Sequence, residues 1–94
     1  MRIKYRHVCI HWLDAQSSTE WKGIDDIDKQ KLALCISTGY VIHEDTEGIT
    51  LATDFASSDR LEVDSFGNSI TIPINCIVKM VENNLIIDNT DKKY

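Results

Sequence analysis

Two histidines and a cysteine alternate in the first strand-like stretch of the chain, at His7, Cys9 and His11. Residues two apart on a strand face the same side and lie about 6.6–7 Å apart, so either histidine could share a zinc ion with Cys9. A closed tetrahedral site needs further ligands. The candidates in this sequence are Asp14, Cys35, His43 and Cys76. Because no spacing brings them to this face, we predict no metal site and interpret the imidazoles as flanking a partly buried thiol.

The same three residues also offer a cysteine–histidine pair for nucleophilic catalysis. A catalytic thiolate needs an electropositive and accessible setting, whereas each cysteine here lies in an apolar run and the neighbouring loops are acidic. Paired carboxylates occur at Asp25 with Asp26 and at Glu44 with Asp45, where we expect exposed turns in which both acids are solvated. The glycines are isolated and form no phosphate-binding loop. We therefore predict no enzyme and no cofactor, and keep a zinc or thiol enzyme as the least favoured alternative.

Length and cysteine content set the class of protein. The 94 residues fit one domain, which we place at residues 1–87, followed by a polar tail at residues 88–94. No apolar run approaches the roughly 18–20 residues of a membrane span, and the basic start lacks the apolar stretch of a signal peptide. Three widely spaced cysteines argue against a disulfide framework, so we expect a cytoplasmic protein.

The charge distribution favours a protein partner over nucleic acid. The net charge is −5, and acidic residues dominate residues 14–28 and 44–64. Such loops repel a phosphate backbone, so binding to nucleic acid is a secondary alternative that would use the basic arm formed by Arg2, Lys4 and Arg6. An acidic surface of this kind either aids solubility or meets a basic patch on another protein.

Alternation of apolar and polar residues predicts a mainly β domain. Val8, Ile10 and Trp12 alternate with polar neighbours and predict a half-buried first strand. The three-residue spacing of apolar side chains over residues 20–31 predicts a short helical excursion after it. The longest β-like run covers residues 32–42.

Glycine and proline mark the expected bends. Gly39 interrupts the second strand and predicts a bulge or sharp bend, and Gly48 is expected to supply a positive φ in the hairpin loop. Residues 54–68 are predicted to form a long loop, with irregular strand pairing around residues 61–63 as a possibility. Pro73 cannot donate to a sheet ladder, so a 3-10 turn is expected between the last two strands. This pattern predicts a small SH3-like barrel of about five strands, with a two-layer α+β sheet as the alternative.

Several short motifs follow one another in a fixed order along the chain. They are Trp12-x-Asp14-Ala15, Ser37-x-Gly39-Tyr40 and Ile70-x-Ile72-Pro73-x-x-x-Ile77. In this order they resemble a group of small, uncharacterised phage-type proteins. The resemblance covers most of the chain up to about Val81 and implies an SH3-like barrel of phage or prophage origin, without implying an activity.

A non-catalytic protein-binding module is the function that these features favour. Its expected partner is a host or phage protein, as for an inhibitor of a host protein or defence system. Tryptophan and tyrosine are preferred anchors at interfaces. We therefore predict that Asp14, Trp21 and Tyr40 form one partner-binding surface. Beyond the last core strand, the apolar residues Leu85, Ile86 and Ile87 could add to a sheet edge and join two copies in a homodimer.

Overall fold

The computed structural model describes residues 3–29 and 31–83, and this part of the chain forms one antiparallel sheet. Its strands are β1 (His7–Asp14), β2 (Ala33–Glu44), β3 (Gly48–Ala56), β4 (Ser65–Pro73) and β5 (Ile77–Asn83). Their order across the sheet is β4-β3-β2-β1-β5, which leaves β4 and β5 as the edges. The prediction of a mainly β protein is therefore confirmed. Arg2, the apolar residues 85–87 and the tail at residues 88–94 lie outside the described residues.

Two 3-10 helices connect strands. The first, Ile24–Lys29, lies between β1 and β2, and the second, Ile74–Cys76, lies between β4 and β5. An α-helix is not found in residues 3–29 or 31–83, so the helical layer of the α+β alternative is not present there. Among these described residues, no helix has both the length and the apolar character that crossing a membrane would require.

The connection from β4 to β5 shows that the sheet is curled. β4 ends at Pro73 and β5 begins at Ile77, so four steps of chain join the two edges of the sheet and span at most about 14 Å. In a flat sheet the same edges would lie about 19 Å apart, at four interstrand spacings. The sheet must therefore bend the edges toward each other, although within the described ranges β4 and β5 share no ladder and the sheet stays open.

The core lies on the concave side of this curled sheet. The buried residues of its main cluster come from β1, β3 and β4, and they are Val8, Ile10, Ile49, Leu51 and Ile72. Trp12 packs against them, as its alternation with Val8 and Ile10 predicts. Its indole Nε1 donates a hydrogen bond of 3.0 Å to the Ser37 hydroxyl, which satisfies the one polar group that the ring buries.

Gly39 lies in β2 where the backbone of β3 leaves no room for a side chain. A Cβ atom at this position would lie 2.9 Å from the carbonyl oxygen of Ala52 and 3.3 Å from the Leu51 Cβ. The irregularity of the ladder itself lies a little further along, between Val41 and His43. Glycine is therefore required at position 39 for the close approach of two backbones.

Replacing Gly39 with alanine is expected to lower the free energy of unfolding by about 1–3 kcal/mol, because the backbone of β3 must shift to admit the methyl group. Gly67→Ala is the matched control, since a Cβ atom in that strand position meets only the Asp54 Cβ at 3.9 Å. We expect this control to be neutral or slightly stabilising. Urea unfolding of both variants measures the difference, and equal losses would contradict the close approach.

Gly48 does not have the positive φ that was predicted for it, because none of the four glycines does. The turn between β2 and β3 is instead held by Asp45, whose Oδ1 accepts hydrogen bonds from the backbone N–H groups of Glu47 at 2.8 Å and Gly48 at 3.0 Å. Gly48 begins β3, and a Cβ there would lie 2.8 Å from the carbonyl oxygen of Ile72. The glycine is needed for space and not for its left-handed conformation.

The prediction of a loop over residues 54–68 is wrong at both ends. β3 continues to Ala56 and β4 begins at Ser65, and Phe55 lies directly opposite Phe66 in this ladder. Cross-strand aromatic pairs stabilise such ribbons, which offsets the polar, glycine-containing sequence around them. The loop that remains spans residues 57–64.

Candidate docking surface on the outer sheet face

The face of β1, β2 and β5 that points away from the core is called the outer face. Register places its side chains in rows across the three strands. β1 contributes His7, Cys9, His11 and Leu13. The residues opposite them on β2 are Tyr40, Thr38, Ile36 and Leu34, and those on β5 are Asn83, Val81 and Lys79.

One end of the outer face is apolar and open to solvent. Leu34 and Ile36 are 60% and 61% exposed, although both are large aliphatic residues within a strand. Leu13 lies directly opposite Leu34. These three residues form the apolar end of the outer face. Adjacent aliphatic side chains left in water are typical of a surface that another protein covers.

The other end of the outer face is aromatic. The His7 and Tyr40 rings meet edge to face with centroids 4.8 Å apart, and Tyr40 meets Phe55 in the same way at 5.2 Å. Tyr5 stacks on Phe55 at 5.6 Å with an angle of 5° between the ring planes. Tyr5, His7, Tyr40 and Phe55 form the aromatic cluster.

An open depression lies beside the aromatic cluster. Its volume is about 300 Å³. The residues that line it are Lys4, Tyr5, Leu61, Glu62 and Val63. It therefore joins the chain before β1 to the loop between β3 and β4.

The three residues predicted to bind a partner do not lie together. Tyr40 pairs with His7 at the start of β1, whereas Asp14 ends that strand, about 23 Å away at strand spacing. The Asp14 carboxylate accepts a hydrogen bond from the N–H of Ala15 at 2.9 Å. Trp21 lies in the connection between β1 and β2, where its side chain is fully exposed, at 103%. The structure therefore keeps Tyr40 within the aromatic cluster and separates it from the other end of β1.

Trp21→Ala is expected to change the free energy of unfolding by less than about 0.5 kcal/mol, because the exposed indole ring buries no surface of the fold. Trp12→Ala is the matched control, since that tryptophan packs against the core and its loss should cost about 3 kcal/mol or more. Thermal and urea unfolding compare the two variants. A large loss at position 21 would place its ring against the sheet.

His7, Cys9 and His11, the residues considered for metal or thiol chemistry, lie along β1 on the outer face. All three cysteines are free and half-buried. Within those ranges, no group of three histidine, cysteine or acidic side chains could hold a metal ion. The His7 Nδ1 instead accepts a hydrogen bond from the Asn83 side-chain amide at 2.9 Å.

The surface carries mostly negative charge, and backbone N–H groups donate hydrogen bonds to some of its carboxylates. The N–H groups of Glu47 and Gly48, followed by the His43 ring, lower the pKa of Asp45 below its ordinary value. The basic arm is partly neutralised, because the Arg6 guanidinium pairs with Glu44 at 3.0 Å. Both features lower the attraction that this surface would have for a phosphate backbone.

Tyr5 and Phe55 are site residues that the sequence analysis missed. Tyr5 lies within the basic arm and Phe55 within the predicted loop, so neither carried a strand pattern, and their aromatic character was the one available signal. Comparisons with family models, with curated proteins and with solved structures find no match for this chain.

Proposed function

We propose that the protein is a non-catalytic protein-binding module and that the partner covers its outer face. The exposure of Leu34 and Ile36, adjacent on one face of β2, is the observation that carries this proposal. Removing apolar surface from water yields about 25 cal/mol per Å². A partner that covers these side chains gains that free energy, and the neighbouring aromatic cluster supplies the ring systems that dominate many interfaces.

The module is proposed to be a small SH3-like barrel. The curled five-stranded sheet, the strand order and the three-residue helix between β4 and β5 support this assignment. In such a fold the outer face is a rigid platform, because β1 pairs with strands on both sides. A rigid platform loses little conformational entropy when a partner docks.

The resemblance to phage-type proteins extends the proposal to a product of a phage or prophage that acts in the host cytoplasm. There it would occupy a host protein or a component of a defence system and block its normal contacts. The net charge of −5 favours a partner with a basic surface, since complementary charge speeds association and disfavours other partners.

Site-specific photo-cross-linking tests the proposed surface. With Ile36→p-benzoylphenylalanine, irradiation in host lysate is expected to join the protein to one partner, which mass spectrometry identifies. Thr46→p-benzoylphenylalanine in the β2–β3 loop is the control and should give no such product. Cross-linking from position 46 alone would contradict the proposal, and a product of twice the chain mass would make the partner a second copy.

Self-association through Leu85, Ile86 and Ile87 remains a separate prediction, because these residues lie outside the described ranges. Deleting residues 85–94 is expected to convert a homodimer to a monomer. Sedimentation equilibrium of both forms measures the mass in solution. An unchanged mass would exclude the segment from any interface between copies.

A further inference from the structure

We infer that the depression beside Tyr5 receives an arginine side chain of the partner protein. This inference rests on the proposed function and names the chemistry of one contact. The lining of the depression combines a tyrosine, two aliphatic residues and a glutamate, which offer the groups that a planar cation with an apolar stem requires. The aliphatic residues are Leu61 and Val63, and the glutamate is Glu62. The lining also includes Lys4, whose charge opposes that cation.

Tyr5 offers a ring face that is fixed in advance. Its ring is stacked on Phe55, and Phe55 is held in turn by an edge contact with Tyr40. Tyr5 is nevertheless 43% exposed, so part of this residue remains accessible at the depression that it lines. A guanidinium group stacks on such a face through cation–π and planar contacts.

Glu62 supplies the negative charge that would pair with the arginine side chain. Its side chain forms no hydrogen bond or ion pair within residues 3–29 and 31–83, whereas its backbone N–H donates to the Asp59 carboxylate at 3.1 Å. The backbone is therefore held while the carboxylate is free to accept two parallel hydrogen bonds from a guanidinium group. Leu61, which is largely exposed, lies where it can cover the methylene stem of the incoming side chain.

The surrounding charge also favours a cation. The N–H groups of Leu61 and Glu62, with the Ser57 hydroxyl, lower the pKa of Asp59, and the hydroxyl and N–H of Ser58 lower the pKa of Asp64. Both groups therefore stay ionised at neutral pH. In the lining itself, Glu62 and Lys4 balance each other. The segment 54–64, which supplies Leu61, Glu62 and Val63, carries four carboxylates against one cation, Arg60. This segment is therefore negative, which disfavours a phosphate or carboxylate ligand.

A titration followed by ¹H–¹⁵N correlation spectra tests the inference with a defined probe, the peptide acetyl-Gly-Leu-Arg-Leu-Gly-amide. Saturable shifts are expected at the amides of Tyr5 and residues 61–63. The same peptide with citrulline in place of arginine is neutral but equal in shape, and it should bind about tenfold more weakly or worse. Equal affinity for the two peptides would overturn the inference.

Two charge variants should change the affinity for the arginine peptide in opposite directions, which a merely structural role would not produce. Glu62→Gln should weaken binding of the arginine peptide about tenfold, whereas Lys4→Met should strengthen it by removing a like charge. Glu20→Gln, in the β1–β2 connection, is the matched control and should leave the affinity unchanged. Weaker binding by the Lys4 variant, or no effect of the Glu62 variant, would overturn the inference.

The two proposals fail in distinguishable ways. Substitutions at Leu34 and Ile36 should leave the peptide shifts at Tyr5 intact, since the apolar end lies on other rows of the sheet. If the arginine peptide does not bind while position 36 still cross-links a partner, the inference is wrong and the proposed function stands. Peptide binding without a cross-link from position 36 would retain the arginine site and overturn the docking role of the apolar end.

Discussion

Ile10→Ala should lower the free energy of unfolding by about 3–4 kcal/mol. The Ile10 side chain is completely buried, and β1 lies between β2 and β5 in the sheet, so the surrounding strands cannot easily collapse into the space left behind. Removing a large aliphatic side chain from such a site costs the lost transfer free energy and a cavity term. That loss is a large fraction of the roughly 5–15 kcal/mol that stabilises a small domain.

Ile36→Ala is the matched control, because it makes the same chemical change on the neighbouring strand at a side chain that is 61% exposed. We expect a loss below about 1 kcal/mol, mostly from β-propensity. Urea unfolding at constant pH measures both variants, and an unchanged m-value in each would show that the unfolded reference is the same. Similar losses at the two positions would mean that the outer face is packed against something within the chain.

The double variant Leu34→Thr with Ile36→Thr should weaken partner binding at least about 100-fold, a change of roughly 2.7 kcal/mol. Threonine keeps the strand propensity and adds no charge, so long-range electrostatic attraction is unaffected. The protein should remain folded, because neither side chain contributes to the core. The measurement is the dissociation constant for the cross-linked partner, obtained with the purified proteins.

Val78→Thr is the control for the double variant. Val78 is as exposed as Ile36, at 61%, but it lies in the irregular part of the β1–β5 ladder and outside the rows of the outer face. Its substitution should leave the dissociation constant within about twofold of the original value. Equal losses from the control and the double variant would show that exposed aliphatic surface, rather than the apolar end, governs binding.

β1 and the final turn were predictable because their signals are local. Alternation of Val8, Ile10 and Trp12 with polar neighbours is a property of consecutive residues, and it places those three side chains on one face of any strand. Pro73 ends β4 because it lacks a backbone N–H group. These elements lie where the sequence analysis placed them, within one or two residues.

The face of β2 that becomes the core could not be predicted from β2 alone. Leu34 and Ile36 make the more apolar side of this strand, so alternation by itself would favour their burial. Register decides otherwise, because it sets Val8, Ile10 and Trp12 opposite the small residues of β2. Those small residues are Gly39, Ser37 and Cys35. Large side chains on β1 fill the space above small ones on β2. Leu34 and Ile36, the larger side chains of β2, are therefore left on the outer face.

The aromatic cluster also could not be predicted from local sequence patterns. Tyr5 and Phe55 are fifty positions apart and stack only because the sheet brings the chain before β1 beside the end of β3. Tyr40 was predicted to share a partner-binding surface with Asp14 and Trp21, whereas its ring contacts are with His7 and Phe55. Pairwise contacts of this kind depend on strand order, which no short pattern specifies.

The sequence by itself determined that this chain is mainly β. It also determined the position of the first strand, from its alternation, and the position of the last turn, because each of these follows from neighbouring residues. Tertiary structure alone decided which side of β2 meets solvent and which distant rings meet each other. The physical reason is that a strand has two usable faces, and only pairing with its neighbours selects the one that is buried.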